Sequence, residues 1–178
     1  SVEVRLSNML TAKDHPVFVE SQNVFEKALP YRLKCSHFRR LYESSVVFHV
    51  IEKSRVVAIA IVYPITKRVW QLEYLAVTPE CQSRGFGRLL IESVIRKYTY
   101  ISLDCEARLI PYYSRFGFQP LNRWLYYRST TTCVMITGLT SSREKNQVFV
   151  NLSNRTIGNV IVMFITSHIP AQVKKIPP

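Results

Sequence analysis

The stretch Gln82-Ser83-Arg84-Gly85-Phe86-Gly87 constrains this chain more than any other, because it lies where a strand pattern gives way to a helical one. Upstream, Val69 to Val77 is rich in β-branched and apolar residues and reads as a strand. Downstream, Phe86, Leu89, Leu90, Val94 and Ile95 recur at helical spacing between Gly85 and Tyr98. A strand that turns directly into a helix leaves the first helical N–H groups without intrahelical acceptors, and such groups hold phosphate oxygens. Glycines let the backbone approach a ligand closely, and Arg84 and Arg88 bring positive charge to the same place. The dinucleotide fingerprint G-x-G-x-x-G fails at Leu90 and no Walker A sequence is present, so neither of those phosphate sites is expected.

The elements around this turn alternate. Val2 to Leu6 reads as a strand, Ala12 to Leu29 as one or two helices ended by Pro30, and Ser36 to Glu43 as a further helix. Strands are predicted over Ser45–Ile51, Arg55–Ile65, Val69–Val77 and Tyr100–Leu103. A helix opens at Pro111 and ends at Gly117, where glycine suits a C-cap. Two closing strands follow over Arg123–Arg128 and Thr131–Ile136. After the polar bridge Thr140–Gln147, the spacing predicts two more β-rich pieces, Val148–Leu152 and Val160–Ile165, before the frayed end Lys174–Pro178. This order implies an α/β (α+β) domain on a mixed sheet over residues 1–138, with a β-rich extension over 139–178. Apolar edge strands in that extension are expected to meet a second copy in a homodimer.

At 178 residues the chain is long enough to bury a core without disulfides or metal, and the scattered Cys35, Cys81, Cys105 and Cys133 form no metal-ligand spacing. They read as reduced thiols of a cytoplasmic protein. No metal is expected. The start SVEVRLSNML shows no secretory pattern, and Ile157–Ile169 is too interrupted to span a membrane. The sequons at Asn151 and Asn154 are then chance matches. Lys and Arg number 24 against 12 Asp and Glu, a formal charge of +12 with an isoelectric point near 9.8, while the mean hydropathy is +0.02. Disorder is therefore excluded, and a polyanion or a phosphorylated cosubstrate is favoured as partner. No RNA-binding aromatic signature is present, so nucleic acid is not expected.

Together, Leu72–Glu80, the Gln82–Gly87 turn with its helix, and Tyr112-Tyr113-Ser114-Arg115-Phe116-Gly117-Phe118 resemble the GNAT superfamily of acyl-CoA N-acyltransferases. The turn is similar to its Q/R-x-x-G-x-G/A signature at every defined position, and Tyr113 followed by Gly117-Phe118 to its second motif. The resemblance covers about Glu73 to Phe118. It implies a central sheet parted between the strand ending at Val77 and the one ending near Leu103, with acetyl-CoA in the gap. The pantetheine arm would pair with Leu75, Ala76 and Val77, and the pyrophosphate would rest on Gln82, Ser83, Arg84, Gly85, Phe86, Gly87 and Arg88.

The same resemblance assigns Glu73 as a base working through water and Tyr113 as the acid for the departing thiolate. Holding an alkylamine with pKa near ~10.4 neutral at pH 7 costs about 4–5 kcal/mol, so such chemistry needs a base. Asp104 and Glu106 are the expected anchors for an acceptor ammonium, whereas Cys105 is an apolar filler and Tyr112 packs. The run Cys105-Glu106-Ala107-Arg108-Leu109-Ile110-Pro111-Tyr112-Tyr113 is similar to a segment of arylalkylamine acetyltransferases. Leu109 stands where many relatives carry Asn, which lowers the weight of an amino-sugar acceptor. A small primary amine is favoured. Protein lysine or N-terminal acetylation is the alternative, and a non-enzymatic CoA-binding module the third.

Overall fold

Where apolar residues recur at strand or helix period, the backbone of this chain follows them. The computed structural model describes residues 1–8, 16–28, 35–127, 130–138, 141–154, 156–157, 160–161 and 163–165. The expectations at Ala12–His15, Leu29, Arg128 and the Lys174–Pro178 end lie outside these. Two units divide the chain: Ser1–Tyr63 with Leu72–Lys97, and Pro64–Gln71 with Tyr98–Pro178.

The first unit holds β1 (Val2–Asn8), α1 (Pro16–Ala28), α2 (Cys35–Glu43), β2 (Val46–Glu52), β3 (Arg55–Pro64), most of β4 (Trp70–Val77) and α3 (Phe86–Lys97). Its strands lie in the order β1-β2-β3-β4, and β2 runs antiparallel to both β1 and β3. Val47 through Val50 of β2 are all buried, the unbroken burial expected of a strand covered on both faces. Phe18, Phe25, Phe38 and Tyr42 of α1 and α2 form an aromatic cluster with centroids 5.0–5.8 Å apart, tilted except for the edge-on Phe18–Tyr42 pair, and Tyr74 of β4 meets Phe25 edge-on at 4.7 Å. His49, fully buried in β2, lies 3.0 Å from the Tyr42 hydroxyl and 3.3 Å from the Arg5 carbonyl. A carbonyl only accepts, so Nδ1 donates to Arg5, and in the neutral ring Nε2 is left to accept from Tyr42. His49 is thus a satisfied core residue that ties β1, α2 and β2 together.

The second unit takes the first two residues of β4 and adds β5 (Ile101–Cys105), α4 (Ile110–Ser114), β6 (Gln119–Tyr127), β7 (Thr130–Thr137), α5 (Ser142–Ser153) and the short strands β8 (Thr156–Ile157), β9 (Val160–Ile161) and β10 (Met163–Ile165). Trp70 and Gln71 run parallel to Ile101 and Ser102, while β5/β7, β7/β6 and β6/β10 are antiparallel. The expected mixed sheet is therefore present. Two neighbouring expectations fail: Val148–Leu152 is not a strand but lies in the C-terminal half of α5, and Ser142–Gln147 of the expected polar bridge form the first half of that helix. Ser141 caps that helix by accepting from the Glu144 N–H, so Ser141-Ser142-Arg143-Glu144 is a capping-box sequence, which overrides the β preference of Val148 and Val150. Val148, Phe149 and Leu152 then share one helix face and pack on Val69, Leu125, Val134 and Ile136. Asn151 Nδ2 donates to the Ile65 carbonyl at 2.7 Å.

Because Leu152 is completely buried, Leu152→Ala should lower unfolding free energy by about 2–5 kcal/mol in urea titrations. A change under about 0.5 kcal/mol would show that α5 contributes no core.

Candidate active site

The turn between β4 and α3 shows how its residues are used. Pro79–Cys81 forms a single 3-10 turn, and the chain then passes through left-handed backbone at Ser83 (φ 63°) and Gly85 (φ 86°) before Phe86 starts the helix. Left-handed backbone at Gly85 carries no Cβ penalty, whereas any other residue there is strained. Alternation of left- and right-handed backbone gathers successive N–H groups toward one spot, as in anion-binding nests. Among the described residues, the N–H groups from Ser83 to Arg88 make no backbone hydrogen bond, and the first from the helix start is Leu89 N–H to the Gly85 carbonyl at 3.0 Å. Ser83, Arg84 and Gly85 are exposed, whereas Phe86 is buried and Gly87 half-buried. Gly87 keeps a negative φ, so its backbone does not demand glycine, and its bare Cα leaves the first helical turn uncovered.

The arginines of this turn are already engaged. Arg84 forks onto Glu52 of β2 with contacts of 2.9 and 2.5 Å, and its guanidinium lies 4.8 Å from the Phe86 centroid. That hydrogen bond holds the Glu52 carboxyl below its usual range and pushes Arg84 up. Arg88 pairs with Glu92 one turn on at 2.8 Å. Gln82 reaches back, its Nε2 donating to the Val77 carbonyl at 3.2 Å, and so fixes the end of β4 after Leu75 and the buried Ala76. Glu73 is half-buried on β4, and its Oε2 accepts the Tyr63 hydroxyl of β3 at 2.6 Å.

In the second unit, Tyr113 sits on α4 between the rings of Tyr112 (5.1 Å) and Phe118 (6.0 Å), and its hydroxyl has no hydrogen bond among the described residues. Burial first, then the thiol of Cys105, the phenol of Tyr112 and the carboxylate of Asp104, raise its proton affinity well above a free tyrosine's. Asp104 is held from two sides. Gln71 Nε2 donates to Oδ1 at 3.1 Å and Thr132 Oγ1 to Oδ2 at 2.9 Å, while buried Ser102 anchors Gln71 through a 2.6 Å bond to Oε1. Glu106 is exposed and paired with Arg108 at 2.9 Å. Cys105 and Cys133, opposite each other on β5 and β7, are both buried and pushed up to about 12, chiefly by that burial. Thiols this hard to ionise are not nucleophiles at neutral pH.

Sequence reasoning missed Tyr63, Glu52, Gln71 and Thr132. Tyr63 and Gln71 lie in readable strands, but nothing in strand period says which side chain lies across the ladder. Among the described residues no cluster of three His, Cys, Asp or Glu could hold a metal ion, and no helix is long and apolar enough to cross a membrane.

The strand–turn–helix follows an antiparallel run of strands and exposes Ser83, Arg84 and Gly85 at its turn. Residues 43–120 match the family profile described as an acetyltransferase (GNAT) domain, a match that supports a GNAT N-acetyltransferase. The fold is similar to that of the ribosomal-protein-S18-alanine N-acetyltransferase from Escherichia coli, with a TM-score of 0.62 at 18% identity over 79% of this chain and 97% of that one. An acyl-CoA N-acyltransferase from Pseudomonas aeruginosa gives 0.62 at 15% identity, over 78% and 100%. A GNAT acetyltransferase from Elizabethkingia anophelis with acetyl-CoA bound gives 0.56 at 12%, over 78% and 98%. No curated protein matches the sequence.

The two raised thiols predict a pH effect with a definite sign. An unfolded cysteine ionises near ~8.5, whereas these two keep their protons to about 12 when folded. Between those values the folded state binds more protons, so each thiol removes up to about 1.4 kcal/mol of stability per pH unit as pH rises. Denaturation midpoints at pH 8, 9 and 10 read this, and Cys105→Ala with Cys133→Ala should flatten the fall.

Proposed function

We propose that this chain moves the acetyl group of acetyl-CoA to a small primary amine by direct attack within one ternary complex. The observation that carries the reading is the exposed left-handed turn at Ser83–Gly85 leading into a helix start, where the N–H groups from Ser83 to Arg88 have no backbone acceptor among the described residues, which suits a pyrophosphate. Leu75, Ala76 and Val77 offer a strand edge to the amides of the pantetheine arm, in the manner of β-augmentation. Gln82 ties that turn to the end of β4, and Arg84 and Arg88 bring positive charge beside it, each ion-paired within the first unit.

In the reaction the amine nitrogen bonds to the thioester carbonyl carbon, the carbon–sulfur bond breaks, and the nitrogen's proton passes through water to Glu73. The departing sulfur finally takes one proton, so counted from the neutral amine none is gained or lost, and an amine that arrives as ammonium first releases one more to water. Tyr113 serves the sulfur as a hydrogen-bond donor. Its raised proton affinity stands above that of a thiol near ~8.5, so full transfer from the phenol is uphill, and the sulfur's proton comes to it as the amine's is released. Asp104 and Glu106 are the acceptor-side carboxylates of this reading.

The second reading, acetylation of a protein N-terminus, has an observation of its own. Asp104 and Glu106 already hold donors within the chain, which weakens them as traps for a polycationic amine. The similar S18-alanine enzyme acts on a protein.

Calorimetry with CoA and an acetylation panel of spermidine, tryptamine, glucosamine 6-phosphate and short peptides test both. Glu73→Gln should cut turnover while leaving CoA affinity within about twofold, and Tyr113→Phe should slow turnover by roughly 10²-fold. Wild-type rates in both variants would remove the assigned roles, and absent CoA binding would remove the enzyme.

A further inference from the structure

Acetyl transfer leaves the two buried thiols of the second unit unused. Cys105 closes β5 and stands opposite Cys133 of β7 in the antiparallel register. Met135, two residues further along β7, shares their face of the sheet, and Cys105 Sγ lies 3.6 Å from its Sδ. Cys133 Sγ makes a long contact of 3.6 Å with the Val134 carbonyl, the bond of a weak donor. All three side chains are buried. Asp104 and Val134 alternate to the opposite face, where Asp104 meets Thr132.

The backbone says which kind of cross-strand pair the two cysteines form. Trp70 N–H donates to the Tyr100 carbonyl, so the backbone groups of Tyr100 point to β4. By alternation those of Ile101, Leu103 and Cys105 point to β7, and Ile101 N–H accordingly meets Thr137 Oγ1. Cys105 and Cys133 are therefore a hydrogen-bonded pair, whose Cα atoms stand about 5.5 Å apart. Their Cβ atoms then sit at the wide end of the cross-strand range, near ~5.5 Å, beyond the roughly 3.5–4.5 Å of a disulfide. A bridging ion suits that width. Two sulfurs on opposite sides of one metal stand roughly 4.6 Å apart, twice a bond of about 2.3 Å.

Thiolates and thioethers are soft ligands, the kind that select Cu(I). Zn(II) also takes thiolates but asks for four ligands in a tetrahedron. Among the described residues no cluster of three His, Cys, Asp or Glu completes such a set. The thiols are protonated at neutral pH, and a soft metal displaces such protons outright. Two S–H bonds break, two sulfur–copper bonds form, both protons go to solvent, and no electron moves.

We propose that Cys105, Cys133 and Met135 form a binding site for one soft monovalent cation, Cu(I), bridged between β5 and β7 by the two thiolates and contacted by the thioether. Cys105 ends its strand and is followed by exposed Glu106, so the ion enters from that end. The site needs neither CoA nor an acceptor amine and stands apart from the acetyl-transfer reading.

The test titrates the reduced full chain under nitrogen with Cu(I) in competition with bathocuproine disulfonate, and with Ag(I) as a redox-inert probe. The wild type should take about one ion per chain and release about two protons per ion into weakly buffered solution. Cys35→Ser combined with Cys81→Ser should keep both values, while Cys105→Ala or Cys133→Ala should abolish the site. Met135→Leu nearly conserves volume, so it should leave the unfolding midpoint in place and lower affinity by roughly tenfold or more. An equal amount of Zn(II) should not displace the bound ion. Uptake that follows Cys35 and Cys81, ion binding without proton release, Met135→Leu affinity equal to wild type, or displacement by Zn(II) would each overturn the proposal.

Discussion

Left-handed backbone at Ser83 and Gly85 is the constraint on which the candidate site depends. A chain leaving β4 must reverse into α3 within a few residues, and these two positions let it do so. Everything near the turn serves to hold that shape. Gln82 ties it to the Val77 carbonyl, Arg84 forks onto Glu52 and lies over Phe86, and buried Phe86, Leu90, Ile91 and Val94 seat the helix on the first unit. Both arginines are ion-paired within the first unit, Arg84 with Glu52 and Arg88 with Glu92 one turn along α3. The positive character left at the turn comes from the peptide groups themselves, whose aligned dipoles favour an anion at a helix start.

Much of this was legible in the amino-acid order because turns and helix starts are local. Gly85, the apolar spacing from Phe86 onward and the Tyr113–Phe118 motif each declare themselves within a few residues. The strands were readable for the same reason, and β2 through β4 fall within a few residues of expectation. α5 was misread because Val148, Phe149 and Val150 carry β preference, while the decisive signal lay upstream in the Ser141–Glu144 cap. Preference yields to capping and to a buried face when the two compete. Partners across the sheet were out of reach. Neither the Tyr63–Glu73 bond nor the Gln71–Asp104–Thr132 chain follows from period, since a register is a pairing between distant segments.

Those cross-strand bonds change how the acidic residues are understood. From sequence, Glu73, Asp104 and Glu106 look like one pool of negative charge for an incoming ammonium. In the structure each has its own setting: a phenol on Glu73, an amide and a hydroxyl on Asp104, a guanidinium on Glu106. A carboxylate already furnished with donors attracts cations less and keeps its orientation better. What the strands supply is direction more than field strength.

The bond from Asn151 to the Ile65 carbonyl joins residues 86 positions apart, and both belong to the second unit. During synthesis, the hairpin segment around Ile65 leaves the ribosome long before the helix that covers it exists. Ile65 and Val69 must therefore wait, wet and uncovered, while the next eighty-odd residues are made. The interval in which this chain is open to aggregation or to a chaperone's grip is set by the late arrival of its last described helix.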